Sequence, residues 1–182
     1  MMTSDLSKNQ LAVAIRLEQP QDAAAIRAVN DQAFGQPAEG RVIEKLRHSG
    51  IELLSLVATV DDQIVGHVLF SPATIEGEHG SIQGLGLAPV AVLPEYQGRG
   101  IGSKLITTGL SMIKASACPY VIVLGHQSYY PRFGFERASN YGFTCQWAGV
   151  PDEAFMVMIL DEAAMAGVSG VAKYRDEFNE AM

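Results

Sequence analysis

The chain has 182 residues, of which 48% are hydrophobic and 18% charged, and its formal net charge is −7. This length and composition predict one globular domain with a hydrophobic core of its own. The 13 basic residues are scattered, which argues against a nucleic-acid partner, and no apolar run is long enough to span a membrane.

The first ten residues, MMTSDLSKNQ, lack the basic and apolar regions of a secretory signal. We expect residues 1–10 to form a disordered tail and residues 11–182 to form a single domain. Cys118 and Cys145 are too few for a disulfide framework, and no Cys/His spacing indicates a metal site. These features favour a cytoplasmic protein without a bound metal.

Helices and strands alternate along the sequence, which is typical of an α/β domain. The predicted elements of the first half are a strand over Ala12–Leu17, helices over Pro20–Phe34 and Ala38–His48, and strands over Leu53–Val60 and Ile64–Ile75. The Asp61-Asp62-Gln63 turn between the last two strands predicts a hairpin.

The second half predicts a strand over Ser81–Leu93, a helix over Gly98–Ala115 and a buried parallel strand over Tyr120–Gly125. We expect Phe143–Trp147 and Phe155–Leu160 to pair with each other, and Gly170–Phe178 to add an edge strand. Together these elements predict a mixed sheet with helices on both faces.

The most informative segment runs from the end of the Ser81–Leu93 strand into the next helix. An apolar run ends at Pro94, and Gln97-Gly98-Arg99-Gly100-Ile101-Gly102 opens the helix. The backbone N–H groups of a glycine-rich helix start have no intrahelical partners and lie at the positive end of the helix dipole. The segment therefore predicts a binding site for the phosphate groups of a cofactor.

The spacing of the glycines excludes two common phosphate-binding loops. A P-loop needs Lys and then Ser or Thr after its last glycine, but Gly102 is followed by Ser103 and Lys104. In a dinucleotide fingerprint that begins at Gly98, the third glycine would fall at Ser103. An acidic residue would follow about 20 residues later, but no Asp or Glu occurs from Ser103 to Phe135.

Two sequence blocks resemble the GNAT superfamily of N-acetyltransferases. The string VLPEYQGRGIG, from Val92 to Gly102, matches the acetyl-CoA pyrophosphate loop of that superfamily, and Tyr129–Phe135 (YYPRFGF) matches its later Tyr-x-x-x-Gly-Phe element. The fuller strings are most similar to the YhbS-like branch of predicted bacterial acetyltransferases. The resemblance implies a central, mostly antiparallel sheet with one splayed parallel strand pair.

The resemblance also implies the residues that contact acetyl-CoA. Residues Gln97, Gly98, Arg99, Gly100, Ile101 and Gly102 would hold the pyrophosphate, and Val90, Ala91 and Val92 would run beside the pantetheine arm. In such a site the N–H groups of Val90 and Val92 would meet the cofactor amides and the thioester oxygen. Pro89 predicts the bulge that opens this strand, although it is also compatible with the simple start of a new strand.

Tyr130 stands four residues before Gly134, where the family places its general acid. A free phenol, with a pKa of about 10, is a weaker acid than a free thiol, with a pKa of about 8.5. We therefore interpret Tyr130 as a hydrogen-bond donor to the departing thiolate. Tyr129 is the alternative, and both tyrosines are also compatible with packing among Phe133 and Phe135.

The general base is left open between His126, His67 and water. His126 follows the predicted strand over Tyr120–Gly125, close to where acceptor and cofactor should meet. Lys104 and Arg132 are compatible either with a contact to the adenosine 3′-phosphate or with simple solvation.

The acceptor pocket is expected to involve residues 33–48 and 141–155, whose acidic side chains include Glu39, Glu44, Asp152 and Glu153. We expect Trp147 to lie in the core. The sequence predicts an acetyl-CoA-dependent N-acetyltransferase that acts on a primary amine through a ternary complex, as a monomer or a homodimer. The alternative is a non-catalytic acetyl-CoA-binding module.

Overall fold

A computed structural model describes residues 11–182, so the predicted tail over residues 1–10 lies outside the described part of the chain. The helices are α1 (Ala23–Phe34), α2 (Ala38–His48), α3 (Ile101–Lys114) and the short α4 (Glu162–Met165). Among the described residues, no helix is long and apolar enough to cross a bilayer.

Nine strands form one mixed sheet within residues 11–182. They are β1 (Ala14–Leu17), β2 (Leu54–Val60), β3 (Gln63–Gly77), β4 (Gly80–Val92), β5 (Tyr120–Leu124), β6 (Glu136–Arg137), β7 (Phe143–Cys145), β8 (Phe155–Ile159) and β9 (Gly170–Lys173). The main strand order is β1-β2-β3-β4-β5-β8-β6. Across the described residues, β4–β5 and β7–β9 are the parallel pairs and the other pairs are antiparallel.

The predicted β2–β3 hairpin is confirmed. Asp61 and Asp62 have φ angles of 48° and 64°, so both turn residues are left-handed, as a tight two-residue hairpin requires. β3 continues for 15 residues and therefore extends well past the start of β2. Its distal half is left to pair with another part of the chain.

Helices cover both faces of the sheet, as predicted. Neighbouring residues of β3 point to opposite faces. Gly66 faces α3, where an added Cβ would lie 3.2 Å from Ile101 and 3.1 Å from Leu105, whereas His67 faces Asn30 of α1. The α3 face and the α1–α2 face are the names used below for these two sides.

The predicted pairing of the late strands is wrong. Residues 143–145 pair in parallel with β9, whereas β8 lies between β5 and β6. The predicted edge strand over Gly170–Phe178 is also wrong, because β9 ends at Lys173 and lies between β3 and β7. The reason is the length of β3. Its residues Thr74–Glu76 extend past the start of β2, so their free edge can pair with β9.

His67 lies at the centre of a buried polar network and not at an open site. It is fully buried, and its Nδ1 atom lies 3.2 Å from Asn30 Nδ2, which also donates to the Ile26 carbonyl at 2.9 Å. Nδ1 therefore accepts a hydrogen bond, and Nε2–H donates to Ser55 Oγ at 2.9 Å. Ser55 in turn donates to the Glu18 carboxylate.

This network requires a neutral imidazole. Burial, together with the charge of Arg47, lowers the pKa of His67 to about 3. His67 faces α1 and is absent from the cavity described below, so its assignment as a candidate base is wrong. It is a core histidine.

The lowered pKa of His67 predicts how stability depends on pH. In the unfolded chain this histidine takes up a proton near pH 6.5, but in the folded protein it does so only near pH 3. The contribution of His67 to the free energy of unfolding is therefore fully present above about pH 6.5. As the pH falls below that value, His67 should reduce the free energy of unfolding by about 1.4 kcal/mol per pH unit.

Urea unfolding between about pH 4 and 7 checks this prediction. His67→Gln should be less stable at neutral pH and should show a flatter pH dependence. His79→Gln, in an exposed turn, should leave both unchanged. If the free energy of unfolding changes equally with pH in His67→Gln and in the parent protein, His67 does not have the lowered pKa assigned to it.

Candidate active site

The candidate site lies where β4 and β5 stop pairing. The two strands are paired in parallel over Leu85–Leu87 and Val121–Val123, and no pairing continues beyond this point. On the other side of β4, the two residues Ala88 and Pro89 oppose the single residue Leu69 of β3. The bulge predicted at Pro89 is therefore confirmed, and it coincides with the opening between the strands.

The backbone of β4 turns two N–H groups towards this opening. Leu93 N–H donates to the Val65 carbonyl of β3 at 2.9 Å. Because alternate residues of a strand direct their N–H groups to the same side, Ala91 N–H also points to β3. The N–H groups of Val90 and Val92 therefore point away from β3 and into the gap.

The glycine-rich segment Gln97–Gly102 forms a concave loop at the start of α3. Gly98 and Gly100 have φ angles of 72° and 79°, a left-handed conformation that glycine adopts without steric cost. Gln97 stays outside the helix, and its Nε2 donates to the Val92 carbonyl at 2.9 Å. This bond ties the loop to the end of β4, and the first-turn N–H groups of α3 remain available for an anion.

Three basic side chains near the loop have different surroundings. The Arg99 guanidinium is exposed and lies 5.7 Å from the centroid of the Tyr96 ring. Lys104 donates to a backbone carbonyl. Arg132 lies 4.5 Å from the centroid of the Tyr129 ring and is the one of these three that lines the cavity.

The adjacent tyrosines occupy different positions. Tyr129 Oη lies 3.1 Å from Ser103 Oγ, so its hydroxyl is bound to the first turn of α3. The Tyr130 ring instead packs on Gly125 at the end of β5, where an added Cβ would overlap the ring edge. Tyr130 also makes edge-to-face contacts with Tyr129 and Phe135, at centroid distances of 5.2 and 5.8 Å.

Burial changes the acidity of Tyr130. Loss of solvent, with a smaller contribution from Tyr129, raises the pKa of Tyr130 to about 12. The phenol therefore stays neutral throughout the physiological range. A neutral hydroxyl in this position can donate a hydrogen bond, but it gives up its proton reluctantly.

One cavity of about 760 Å³ joins these features. The sequence-predicted site residues that line it are Val90, Val92, Gln97, Gly98, Gly100, Ile101, Gly102 and Tyr130. Ala91 and Arg99, which were also predicted to contact the cofactor, do not line it. Ala91 is buried opposite His67, and Arg99 faces solvent.

The residues that line the cavity lie on both faces of the sheet, around the gap. Its cofactor end, on the α3 face, is the glycine-rich loop. We call the opposite end, on the α1–α2 face, the acceptor end. The acceptor-end residues are Phe34, Glu39, Val42, Trp147, Tyr174 and Phe178.

The sequence reasoning missed Tyr174 and Phe178 as site residues. It also placed Trp147 in the core, whereas the structure shows Trp147 half-buried on the cavity wall. The rings of Trp147 and Tyr174 are stacked with their centroids 5.5 Å apart. From the sequence, an aromatic residue that follows a short strand is expected to lie in the core. The pairing of β9 with β3 in the structure shows instead that Trp147 borders the cavity.

Tyr174 occupies the point at which the strands part. Its ring lies over Gly86, which has no side chain to obstruct it, and burial raises its pKa well above the ordinary value. Its hydroxyl lies 3.3 Å from both the Leu87 carbonyl of β4 and the Ile122 carbonyl of β5. A single O–H is thus shared between the two strands at the inner end of the gap.

Of the two histidines considered as a base, His126 lines the cavity. It is exposed just beyond the end of β5, and its carbonyl accepts the Tyr129 N–H at 2.9 Å. Among residues 11–182, no group of three or more Cys, His, Asp or Glu side chains could hold a metal.

Of the four acidic residues expected near the acceptor, Glu39 lines the cavity and the other three do not. Glu44 is paired with Arg27 at 2.7 Å. Asp152 lies 3.6 Å from an arginine of β6.

Comparison with known proteins identifies relatives along most of the chain. Residues 52–137 match the family model described as acetyltransferase (GNAT) domain. The N-acetyltransferase YhbS of Escherichia coli (strain K12) is 39% identical over 166 residues, which cover 91% of this chain and 98% of that protein.

Solved structures agree with this relationship. The Escherichia coli YhbS structure, in complex with CoA, is 38% identical, covers 93% of each chain and superposes with a TM-score of 0.86. A GNAT acetyltransferase from Brucella melitensis, in complex with acetyl-CoA, is 36% identical with a TM-score of 0.73, covering 91% of this chain and 97% of that one. The predicted family, branch and fold are confirmed.

The contact between Tyr130 and Gly125 provides a test of the site geometry. Gly125→Ala should displace the Tyr130 ring and destabilise the protein by about 1–3 kcal/mol, because the added methyl overlaps the ring edge. Chemical denaturation checks this change. In a Tyr130→Ala background the same substitution should cost much less, and equal costs in the two backgrounds would show that the rings do not meet there.

Proposed function

Because this chain belongs to the GNAT family of N-acetyltransferases, we propose that it transfers the acetyl group of acetyl-CoA to a primary amine while both substrates are bound. The observation that carries the proposal is that one cavity connects the glycine-rich loop, the N–H groups of β4 that point into the gap, and Tyr130. The relatives solved with CoA and with acetyl-CoA support the choice of donor.

The loop at Gln97–Gly102 suits the pyrophosphate of acetyl-CoA. Its backbone N–H groups and the helix dipole favour an anion without a metal ion. Arg132 adds positive charge on the cavity wall. The pantetheine arm would then follow the edge of β4, where Val90 and Val92 offer N–H donors to its amides, while Ala91 contributes only the spacing between them.

The reaction joins the amine nitrogen to the thioester carbonyl carbon and breaks the carbon–sulfur bond. Negative charge collects on the carbonyl oxygen during attack, and preorganised N–H donors of β4 would stabilise it. The amine must first be neutral, so His126 or a water molecule takes the ammonium proton. The proton released on amide formation ends on the CoA thiolate.

Tyr130 acts as a hydrogen-bond donor to the leaving sulfur. With its pKa at about 12, against about 8.5 for a free thiol, full proton transfer from Tyr130 would be uphill by about 5 kcal/mol. A hydrogen bond to the thiolate needs no such transfer. For the same reason, Tyr130 should not produce an alkaline limb in the rate profile below about pH 12.

Tyr130→Phe tests this assignment. We expect kcat to fall about a hundredfold, because the charge on sulfur loses its donor, whereas the Kd for acetyl-CoA stays within about twofold. Thiol release in steady state and calorimetric titration give the two quantities. Tyr141→Phe, which alters an exposed tyrosine, is the control. An unchanged kcat in Tyr130→Phe would remove Tyr130 from the mechanism.

Gly100→Ala tests the position of the cofactor. Ala in a left-handed conformation costs about 1–2 kcal/mol of folding stability, but at Gly100 the added methyl group would also stand where we propose that the pyrophosphate lies, so we expect the Kd for acetyl-CoA to rise about tenfold. Gly50→Ala is a matched control, since Gly50 has a φ angle of 71° and open space around it but lies outside the cavity.

If the two glycine variants bind acetyl-CoA equally well, the cofactor does not use this loop. Tight binding of acetyl-CoA without transfer to any amine would instead favour the non-catalytic binding module.

A further inference from the structure

The acceptor end has an aromatic wall built by the last part of the chain. Tyr174 is central to it, with the Trp147 ring stacked at 5.5 Å and 23° and the Phe178 ring at 5.2 Å. Phe34, at the end of α1, also lines this end, and its side chain is 42% exposed. Binding of an apolar ligand to such a surface is favourable, because it removes apolar area from water.

Among the described residues, one acidic side chain lines this end. Of the Asp and Glu residues in the described part of the chain, Glu39 alone lines the cavity. Its carboxylate accepts a hydrogen bond from the neutral amide of Gln36 at 3.1 Å and takes part in no ion pair among residues 11–182. Glu44, by contrast, forms an ion pair with Arg27, which also pairs with Asp31. The Glu39 charge is therefore available to a cation.

The positive charges of the wall lie elsewhere. Of the described Lys and Arg residues, Arg132 alone lines the cavity. It lies at the cofactor end, over the Tyr129 ring. A carboxylate on the acceptor would meet Glu39 without a compensating cation. A polyamine would bring a second ammonium group, for which the described wall has no second acidic side chain.

From this arrangement we infer that the acceptor is a primary amine carried on an aromatic or bulky apolar body and without a carboxylate beside the amine. Glu39 attracts the ammonium form, and the wall of Trp147, Tyr174 and Phe178 covers the apolar body. The inference rests on the proposed function for its chemistry, because it assigns the second substrate of the same cavity.

Four amines separate the contributing factors in an acetyl-transfer assay. Phenylalaninamide has the required ammonium and ring, alaninamide lacks the ring, phenylalanine adds a carboxylate, and spermidine replaces the ring with further charges. We expect kcat/KM for phenylalaninamide to exceed that for each of the other three amines at least about tenfold. For alaninamide, this difference is the scale of burying a phenyl ring.

Glu39→Gln keeps the shape of the side chain and removes its charge. It should raise the KM for phenylalaninamide about tenfold with little change in kcat, and it should narrow the difference between phenylalaninamide and phenylalanine. Glu153→Gln, the same substitution outside the cavity, should change neither. Trp147→Leu should reduce the preference for phenylalaninamide over alaninamide about tenfold.

A binding measurement keeps this inference separate from the proposed function. Trp147 is the only tryptophan of the chain, so its fluorescence reports on the acceptor end directly. Phenylalaninamide added to the CoA-saturated protein should change that fluorescence at lower concentration than phenylalanine or alaninamide does.

Preferential binding of phenylalaninamide, with acetyl transfer to none of the four amines, would support the assignment of the acceptor end and count against the proposed function. Acetylation of all four amines at similar rates, or an unaltered KM in Glu39→Gln, would overturn the inference and leave the proposed function standing.

Discussion

Pairing between β4 and β5 ends after Leu87, and the rest of the site depends on that break. A continued parallel ladder would use the N–H groups of Val90 and Val92 inside the sheet and would close the passage between its faces. The bulge at Ala88-Pro89 redirects β4 instead. The cradle at the start of α3 and the Tyr130 ring on Gly125 then lie on either side of the gap, because each follows directly from the end of one of the two strands.

The parts of this arrangement that follow local rules were predictable from the sequence. Glycine spacing, a strand that ends at Pro94 and the missing donor of Pro89 act within a few residues, so the loop, the bulge and the start of α3 could be predicted in advance. The register of the Tyr129–Phe135 block distinguished Tyr130 from Tyr129, and the structure places these two rings in different surroundings.

What the sequence did not predict depends on contacts between distant segments. The partner of β9 is the exposed part of β3, nearly a hundred residues earlier, and no local pattern identifies it. Tyr174 and Phe178 become site residues only through this pairing. His67 shows the same limitation, because strand alternation places it on the α1–α2 face but does not show that Asn30 and Ser55 enclose it there, away from the cavity. The polar network around His67 then explains why a histidine is tolerated at a fully buried position.

The sheet itself separates the two ends of the cavity. The glycine-rich loop opens on the face that carries α3, and Phe34, Glu39 and Trp147 open on the face that carries α1 and α2. The two ends of the cavity are therefore lined by different elements of the fold. The residues at one entrance can consequently be substituted without changing the lining of the other.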